Sequence, residues 1–384
     1  MKIIIDARMY GLEHAGIGRY VANFIRELKT QKSKLKNTEF YLLVRKKYYQ
    51  EIKKETGNKF HLVVADYPHY SFKEQIFLPL QLIKLKPDLA HFPHFNVPLF
   101  WFGKYVVTIH DLIKHESRGV ATTTRFSLIY WLKYVVYLSV VWLAVKKAAK
   151  IITPSYFWQK ELIRRYHLPK NKIVVTYEGV DESLRQQITN SKSQIILAKY
   201  KIKKPFVVYT GSLYPHKNVE RLVVSVKRLN DSNHLNISLV IVCARNVFYE
   251  RFLEKLKKLK AEKFVNLVGF VPDEDLAGIY KQAEVFVFPS FWEGFGLPGL
   301  EAMALGLPVI SSNSSCLPEV YGEAALYFNP LDVDEMAEKI LSVIRDKAIR
   351  ETLIKKGFEQ VKKYSWEKMA KETLDIYRRV LSEK

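Results

Sequence analysis

Cysteine is almost missing from this chain: among 384 residues only Cys243 and Cys316 carry thiols. That excludes a disulfide framework, and neither residue sits in a Cys-x-x-Cys or Cys/His metal spacing. Such usage suits a reducing compartment. No fixed-period repeat or low-complexity tract appears, which excludes a repeat architecture. The opening run Met1-Lys2-Ile3-Ile4-Ile5-Asp6 is too short an apolar stretch for a signal peptide and reads as a strand. Acidic residues are scarce, 39 Asp and Glu against 61 Lys and Arg, for a net charge of +22. The imbalance is lopsided: residues 1–181 hold 30 basic and 14 acidic residues, residues 182–384 hold 31 and 25. A basic half points to an anionic partner such as membrane lipid, lipid phosphate or nucleic acid, unless it serves solubility alone.

What is present fits a folded α/β protein. Apolar residues make up 48% of the chain and mean hydropathy is −0.11. Short apolar runs alternate with amphipathic stretches, the pattern of parallel sheets. Strands are predicted near 2–6, 39–44, 60–65, 88–92, 105–109, 149–153 and 173–176, then 206–210, 237–242, 264–268, 284–288, 307–311 and 324–327. Helices are predicted to fill the gaps between them, for example at 17–30, 156–166, 219–230, 248–260, 273–281 and 333–345. The polar, lysine-rich stretch 182–204 reads as a connector between an N-terminal domain (1–185) and a C-terminal domain (200–365).

Residues 126–145 are almost continuously apolar and about as long as a transmembrane helix. Basic residues flank them: Arg118, Arg125, Lys146, Lys147 and Lys150. A single crossing would put the strands at 105–109 and 149–153 on opposite sides of a bilayer, although they should share one sheet. A helix buried in the domain is the expectation. A helix partly sunk in a membrane face, with Trp131 and Trp142 near the headgroups, is the alternative.

The chemistry-bearing motifs follow strand ends, where ligands of open α/β sheets gather. Glu293 and Glu301 bracket Gly294-Phe295-Gly296-Leu297-Pro298 directly after the apolar run Val285–Phe288. This reads as buried strand, glycine turn, then helix. Its N–H groups can meet phosphate, and its carboxylates can accept hydrogen bonds from sugar or ribose hydroxyls. Gly16-Ile17-Gly18-Arg19-Tyr20 is a second glycine entry into a helix. It is not the Gly-x-Gly-x-x-Gly of dinucleotide sites, and no ribose-binding acid follows at the expected spacing. His110-Asp111 ends one strand; His91, His94 and Asn96 end the preceding one and are candidates to line an acceptor cleft. A metal on His91, His94 and His110 lacks a completing carboxylate or cysteine. Gly211 to Asn218 forms a turn whose Lys217 is placed to neutralise a departing diphosphate, with Asn218 as the N-cap of the next helix.

These motifs, in order, resemble the retaining glycosyltransferases of family 4, the E-x7-E group. The resemblance rests on Gly16–Tyr20, His110-Asp111, Tyr177–Asp181, Gly211–Asn218, Asn266–Leu276, Val285–Ser290, Glu293–Ala304, Gly306–Ile310 and Leu317–Val320, and covers nearly the whole chain. Within the family the chain looks most like bacterial enzymes of cell-surface polysaccharide synthesis, several of them mannosyltransferases. The resemblance implies a GT-B fold: two Rossmann-like domains facing across a cleft, with a last helix at 366–384 crossing back to the first. It implies a nucleoside diphosphate sugar donor and a glycan or lipid-linked saccharide acceptor. No cofactor and no essential metal is implied.

Roles implied by position are as follows. His110, Lys217 and Glu293 would be catalytic, His110 near the reacting carbon and Glu293 beside the transferred sugar. Glu301 would hold the donor ribose. Backbone N–H groups of Phe295, Gly296 and Leu297 would meet sugar and phosphate. Val268 to Val271, with Phe270, would lie along the base, and Gly16 and Gly18 would approach the diphosphate. His91, His94, Asn96 and Asp111 would face the acceptor, Asp111 also orienting His110. The family pairs the lysine with an arginine at one of two positions, here Ser212 and His216, so Arg19, His216 or another base must help Lys217. The basic half is expected against the anionic inner face of the cytoplasmic membrane. A glucan or sugar-phosphate synthase is the near alternative. A nucleic-acid-binding protein explains the charge but not the carboxylates of the glycine turn, and a dinucleotide oxidoreductase shares the α/β pattern but is argued against by the Gly-x-Gly-x-x-Gly fingerprint that the N-terminal turn lacks.

Overall fold

The computed structural model describes residues 1–31, 35, 37–117, 127–180, 190–233, 235–245 and 247–383. Arg118, Arg125, Asp181 and positions 182–189 of the expected connector lie outside the described residues. The chain divides into two compact units. One holds Met1–Leu112, Phe126–Gly179 and Ser365–Lys384; the other holds Ile113–Arg125 and Val180–Tyr364.

The first unit is built on a parallel sheet of β1 (Lys2–Asp6), β2 (Glu39–Val44), β3 (His61–Val64), β4 (Leu89–Phe92), β5 (Tyr105–Thr108), β6 (Lys150–Thr153) and β7 (Ile173–Val175), in the order β3-β2-β1-β4-β5-β6-β7. The second is built on β8 (Phe206–Thr210), β9 (Ser238–Val242), β10 (Val265–Gly269), β11 (Val285–Phe288), β12 (Val309–Ser312) and β13 (Ala325–Phe328), in the order β10-β9-β8-β11-β12-β13. Helices cover both faces, so the central strands are continuous apolar runs such as Val285-Phe286-Val287-Phe288, all buried. Both units are Rossmann-like. The direction of strand addition reverses between β1 and β4, and again between β8 and β11. Those two switch points are where crevices open beyond the strands' carboxyl ends.

Local chemistry sets the helix ends. Ser155, Asp332 and Ser365 cap Tyr156–Tyr166, Val333–Arg345 and Trp366–Ser382 by accepting first-turn N–H bonds. The last of these helices packs on Ala15–Gln31 of the first unit, where Gln31 Nε2 donates to the Glu367 carbonyl at 2.9 Å. Gly179 makes the return possible, since a Cβ there would lie 2.1 Å from the Trp366 nitrogen.

Three expectations are corrected. Residues 190–204 are not a bare connector: Asn190–Lys199 is a helix that packs on Asp273–Gln282, with Ile196, Leu197 and Ile202 buried. Lys192, Lys199, Lys201, Lys203 and Lys204 dilute its apolar residues, which blurs the helical period. Secondly, the apolar segment is a helix, Ser127–Lys147, but it is not enclosed. Its last turns bury Val140, Val141, Ala144 and Val145, while Trp131, Leu132, Val135, Val136 and Trp142 are exposed. A helix apolar on every side has no polar face to turn outward. Among the described residues no helix is long and apolar enough to cross a membrane.

The third correction concerns His91. It is fully buried on β4 and lines no cleft. Its Nδ1 meets the Tyr377 hydroxyl at 2.6 Å and its Nε2 the Thr108 hydroxyl at 2.9 Å, tying the C-terminal helix to the sheet. Burial, then the nearby His110, pushes its pKa down to about 3. The unfolded chain therefore binds a proton here between about pH 6.5 and 3 that the native state refuses, and stability falls as pH drops through that window. Tyr377→Phe should cost about 1–3 kcal/mol by stranding a buried ring nitrogen. Chemical denaturation at pH 7 checks the value; a loss under about 0.5 kcal/mol would refute the tie.

Candidate active site

The strongest constellation stands at the switch point of the second sheet. After β11, Pro289 to Phe295 form a loop pinned from several sides. Ser312 Oγ donates to the Ser290 carbonyl at 2.6 Å. Ser315 Oγ accepts from the Glu293 N–H at 3.3 Å and donates to its carbonyl at 3.1 Å. The buried Cys316 thiol donates to the same carbonyl. Gly296 takes φ +99°, a conformation that disfavours side chains, and the fully buried Tyr321 donates to its carbonyl at 2.6 Å. The helix Leu297–Ala304 starts there, with Pro298 in its first turn. Gly299 is required for the same clamp, because a Cβ would lie 2.3 Å from the Tyr321 hydroxyl. Gly294, Gly296 and Gly299 thus have a Gly-x-Gly-x-x-Gly spacing between strand and helix, a signal the sequence analysis sought only at the N-terminus.

The turn after β8 meets this loop. Pro215–Lys217 is a short 3-10 turn, and the His216 carbonyl accepts the Phe291 N–H at 2.8 Å. Lys217 Nζ donates to both oxygens of Glu293, at 2.8 and 2.7 Å, and both side chains are largely buried. The sequence placed these residues 76 positions apart; the sheet order makes them neighbours. Asn218 directly precedes the helix Val219–Asn233 and ties the neighbouring loops together. Its amide donates to the Pro289 and Pro330 carbonyls, and its oxygen accepts from Arg221 Nη1 at 3.0 Å. Arg221 also lies over the Phe291 ring. It is the guanidinium brought to this loop, which the sequence analysis missed. Burial, then the charge on Lys217, pushes His216 down to about 3, so it is neutral near pH 7 and adds no positive charge.

Glu301 is buried within the helix Leu297–Ala304. Phe295 is a core side chain packed edge-on to Tyr364. The Ser212 carbonyl accepts from Tyr209. Val268 lies on β10, with Phe270 exposed just beyond it.

The remaining candidates lie in the first unit. Gly16 and Gly18 fall inside the first turn of Ala15–Gln31 rather than before it. A Cβ on Gly18 would strike the Gly11 carbonyl at 2.0 Å, whereas Gly16 has open space around it. His110 sits beyond β5, with Nε2 3.0 Å from the Pro93 carbonyl and Nδ1 3.2 Å from Glu178. Glu178, not Asp111, is the carboxylate that orients this ring. It belongs to the Tyr177–Asp181 motif, whose purpose the sequence left blank. His94 touches Phe95 and Tyr70, and Asn96 Nδ2 donates to the buried Glu74 at 2.7 Å. Among the described residues no three His, Cys, Asp or Glu side chains group as a metal site.

Two family models tile the chain. Glycosyltransferase family 4 matches residues 14–184, and glycosyl transferases group 1 matches residues 192–360. The chain belongs to the family 4 glycosyltransferases. The O-antigen chain mannosyltransferase B of Escherichia coli is 34% identical to it over 238 residues, covering 61% of this chain and 62% of that protein. The serotype-specific mannosyltransferase WbdA of Escherichia coli is 30% identical over 243 residues, 62% of this chain and 29% of that protein. The chain thus spans less than two thirds of either relative. The sucrose-phosphate synthase of Thermosynechococcus elongatus shares the fold, with a TM-score of 0.78 at 20% identity over all of both chains. The two Rossmann-like units are those of the GT-B fold.

Proposed function

We propose that this glycosyltransferase moves a hexose, mannose in first place, from a nucleoside diphosphate sugar to a glycan or lipid-linked saccharide, with retention at the anomeric carbon. The observation that carries the reading is the Lys217–Glu293 pair, held against the opening of a helix at the switch point. Lys217 stands in for the cation that meets the diphosphate as negative charge grows on it. Arg221 supplies a second cation, and N–H groups of the glycine turn complete the phosphate site. Charge neutralisation by these groups needs no metal. Glu293 receives hydroxyls of the transferred sugar once Lys217 turns to phosphate, and Glu301 holds the ribose. The acceptor hydroxyl attacks from the face the leaving group vacates, its proton passing to a phosphate oxygen. His110, fixed by Glu178 and Pro93, and His94, Asn96 and Asp111 serve the acceptor side. Mannose is favoured by the two mannosyltransferase relatives.

Thermal-shift screening against GDP-mannose, UDP-glucose and ADP-glucose tests the donor. The right nucleotide sugar at about a hundred times its Kd adds about 2.7 kcal/mol to stability. No shift with any of them refutes the reading. Anomeric NMR of the product tests retention.

A second proposal concerns place: the first unit rests on the anionic inner face of the cytoplasmic membrane. The helix Phe72–Leu85 exposes Phe72, Ile76, Phe77, Leu80 and Ile83 along one side, Phe72 at 91%. It connects β3 to β4, and Ser127–Lys147 connects β5 to β6, both in the same direction along the sheet. Right-handed crossovers place both helices on one face. The ring chain Tyr70–Phe95–Tyr137 bridges them, with centroids 6.1 and 5.0 Å apart. Lys73, Lys84, Lys133, Lys146 and Lys147 stand on the same two helices.

A further inference from the structure

We propose that Arg245 reads the base of the donor nucleotide and selects guanine. That a nucleotide occupies the site rests on the sugar-transfer reading above. The Lys217–Glu293 pair stands where β8 and β11 adjoin. Toward β12 the sheet end is closed by the buried Ser312, Cys316 and Tyr321, whose bonds tie down the glycine turn. Toward β9 and β10 successive strand ends carry exposed groups: Tyr214 after β8, Arg245 after β9 and Phe270 after β10. Two strand spacings, about 10 Å, separate β8 from β10, which is also about the reach of a nucleoside diphosphate from phosphate to base. Phosphates at the switch point therefore put the base beside Arg245.

The backbone is shaped to hold the guanidinium there. The pairing of β10 with β9 slips between Leu267 and Gly269, and such a bulge re-aims the residues that follow. Gly269 takes φ +80°, and a Cβ on it would lie 2.9 Å from Arg245 Nε. Glycine thus lets the guanidinium lie against the chain just where Phe270 turns outward. The Tyr249 ring supports it, with its centroid 5.8 Å from the guanidinium carbon. Among the described residues Arg245 enters no ion pair. It stands just ahead of the helix Val247–Leu259, whose N-terminus disfavours a cation, so it is not placed there to stabilise that helix. Tyr214, held against Phe248 with ring centroids 4.4 Å apart, and Phe270 offer planar faces on which a heterocycle stacks.

The guanidinium fork selects among bases. Guanine presents O6 and N7 side by side, two acceptors that match two guanidinium N–H groups. Adenine puts its N6 amino group, a donor, where guanine has O6. Uracil flanks its O4 with an N–H on one side and a C–H on the other, so it gives the fork a single acceptor. The expected order of affinity is GDP, then UDP, then ADP.

Isothermal titration of GDP, UDP and ADP into the full chain tests the assignment. The wild type should bind GDP about tenfold more tightly than ADP and about fivefold more tightly than UDP. Arg245→Gln and Arg245→Lys should each weaken GDP about tenfold and leave UDP and ADP within about threefold. Lysine keeps the charge but not the fork, so it separates base reading from simple attraction to phosphate. The analogue of GDP with carbon in place of N7 should bind the wild type about fivefold more weakly than GDP does, and the two variants as GDP does. Both variants should melt as the wild type does without nucleotide, since Arg245 is exposed. Equal losses for all three nucleotides, undiminished GDP binding by either variant, or a wild type that prefers UDP or ADP overturns the role of Arg245 and leaves the donor reading standing. A wild type that binds none of the three refutes the donor reading itself, and the role of Arg245 falls with it.

Discussion

Lys217→Ala is expected to lower turnover by about a hundred- to a thousandfold, the effect of removing one group that stabilises transition-state charge. Donor KM should change far less, because the interaction strengthens as the diphosphate departs. The structure adds a complication that position alone did not reveal. Lys217 spends both Glu293 oxygens when no donor is bound. Its loss removes both of these charge-assisted bonds from a largely buried carboxylate, so some stability is lost along with rate. Glu293→Gln separates the two effects. It removes the buried charge but leaves Lys217 to meet phosphate, so it should reduce turnover without the destabilisation of Lys217→Ala. Steady-state kinetics on each variant, with melting curves to confirm folding, provide the check. Turnover of Lys217→Ala within about threefold of the wild type would remove Lys217 from catalysis.

The second large effect is on membrane binding. Changing Phe72, Ile76, Leu80 and Ile83 together to serine should abolish co-sedimentation with vesicles containing anionic lipid, a loss of about a hundredfold or more in partition. Full burial of each such side chain contributes about 1.5–3 kcal/mol, so even partial insertion of four exceeds that loss. Stability should hold, because all four side chains are exposed. The wild type should bind less as salt rises, since its lysines act on the anionic surface within a Debye length. Equal sedimentation of variant and wild type would sink the docking face. Binding that ignored lipid charge would sink its electrostatic half.

Most of the fold was legible because it rests on short-range pattern. All thirteen predicted strands are present within a residue or two, since a strand buried on both faces must be an apolar run between turn signals. Two helices carry a weaker pattern for the same reason in reverse, and the second was read as connector. Phe72–Leu85 carries Pro79 and an apolar stripe that faces outward. Asn190–Lys199 hides two buried apolar residues, Ile196 and Leu197, in a polar, lysine-bearing stretch. The glycine turn and its glutamates were legible because only glycine tolerates the backbone at Gly296 and the approach of Tyr321 to Gly299.

Sequence by itself determined the two Rossmann-like units, the family and the loop that carries Glu293 and Glu301, because period, turn chemistry and motif order are properties of neighbours along the chain. Tertiary structure alone decided partnership. It joined Lys217 to Glu293, put Arg221 beside their loop, gave His110 to Glu178 rather than Asp111, and sealed His91 between Tyr377 and Thr108. Strand order brings together the ends of β8 and β11, and of β1 and β4, from distant parts of the chain. Which side chains meet there is set by packing across the sheet, and no local pattern encodes it.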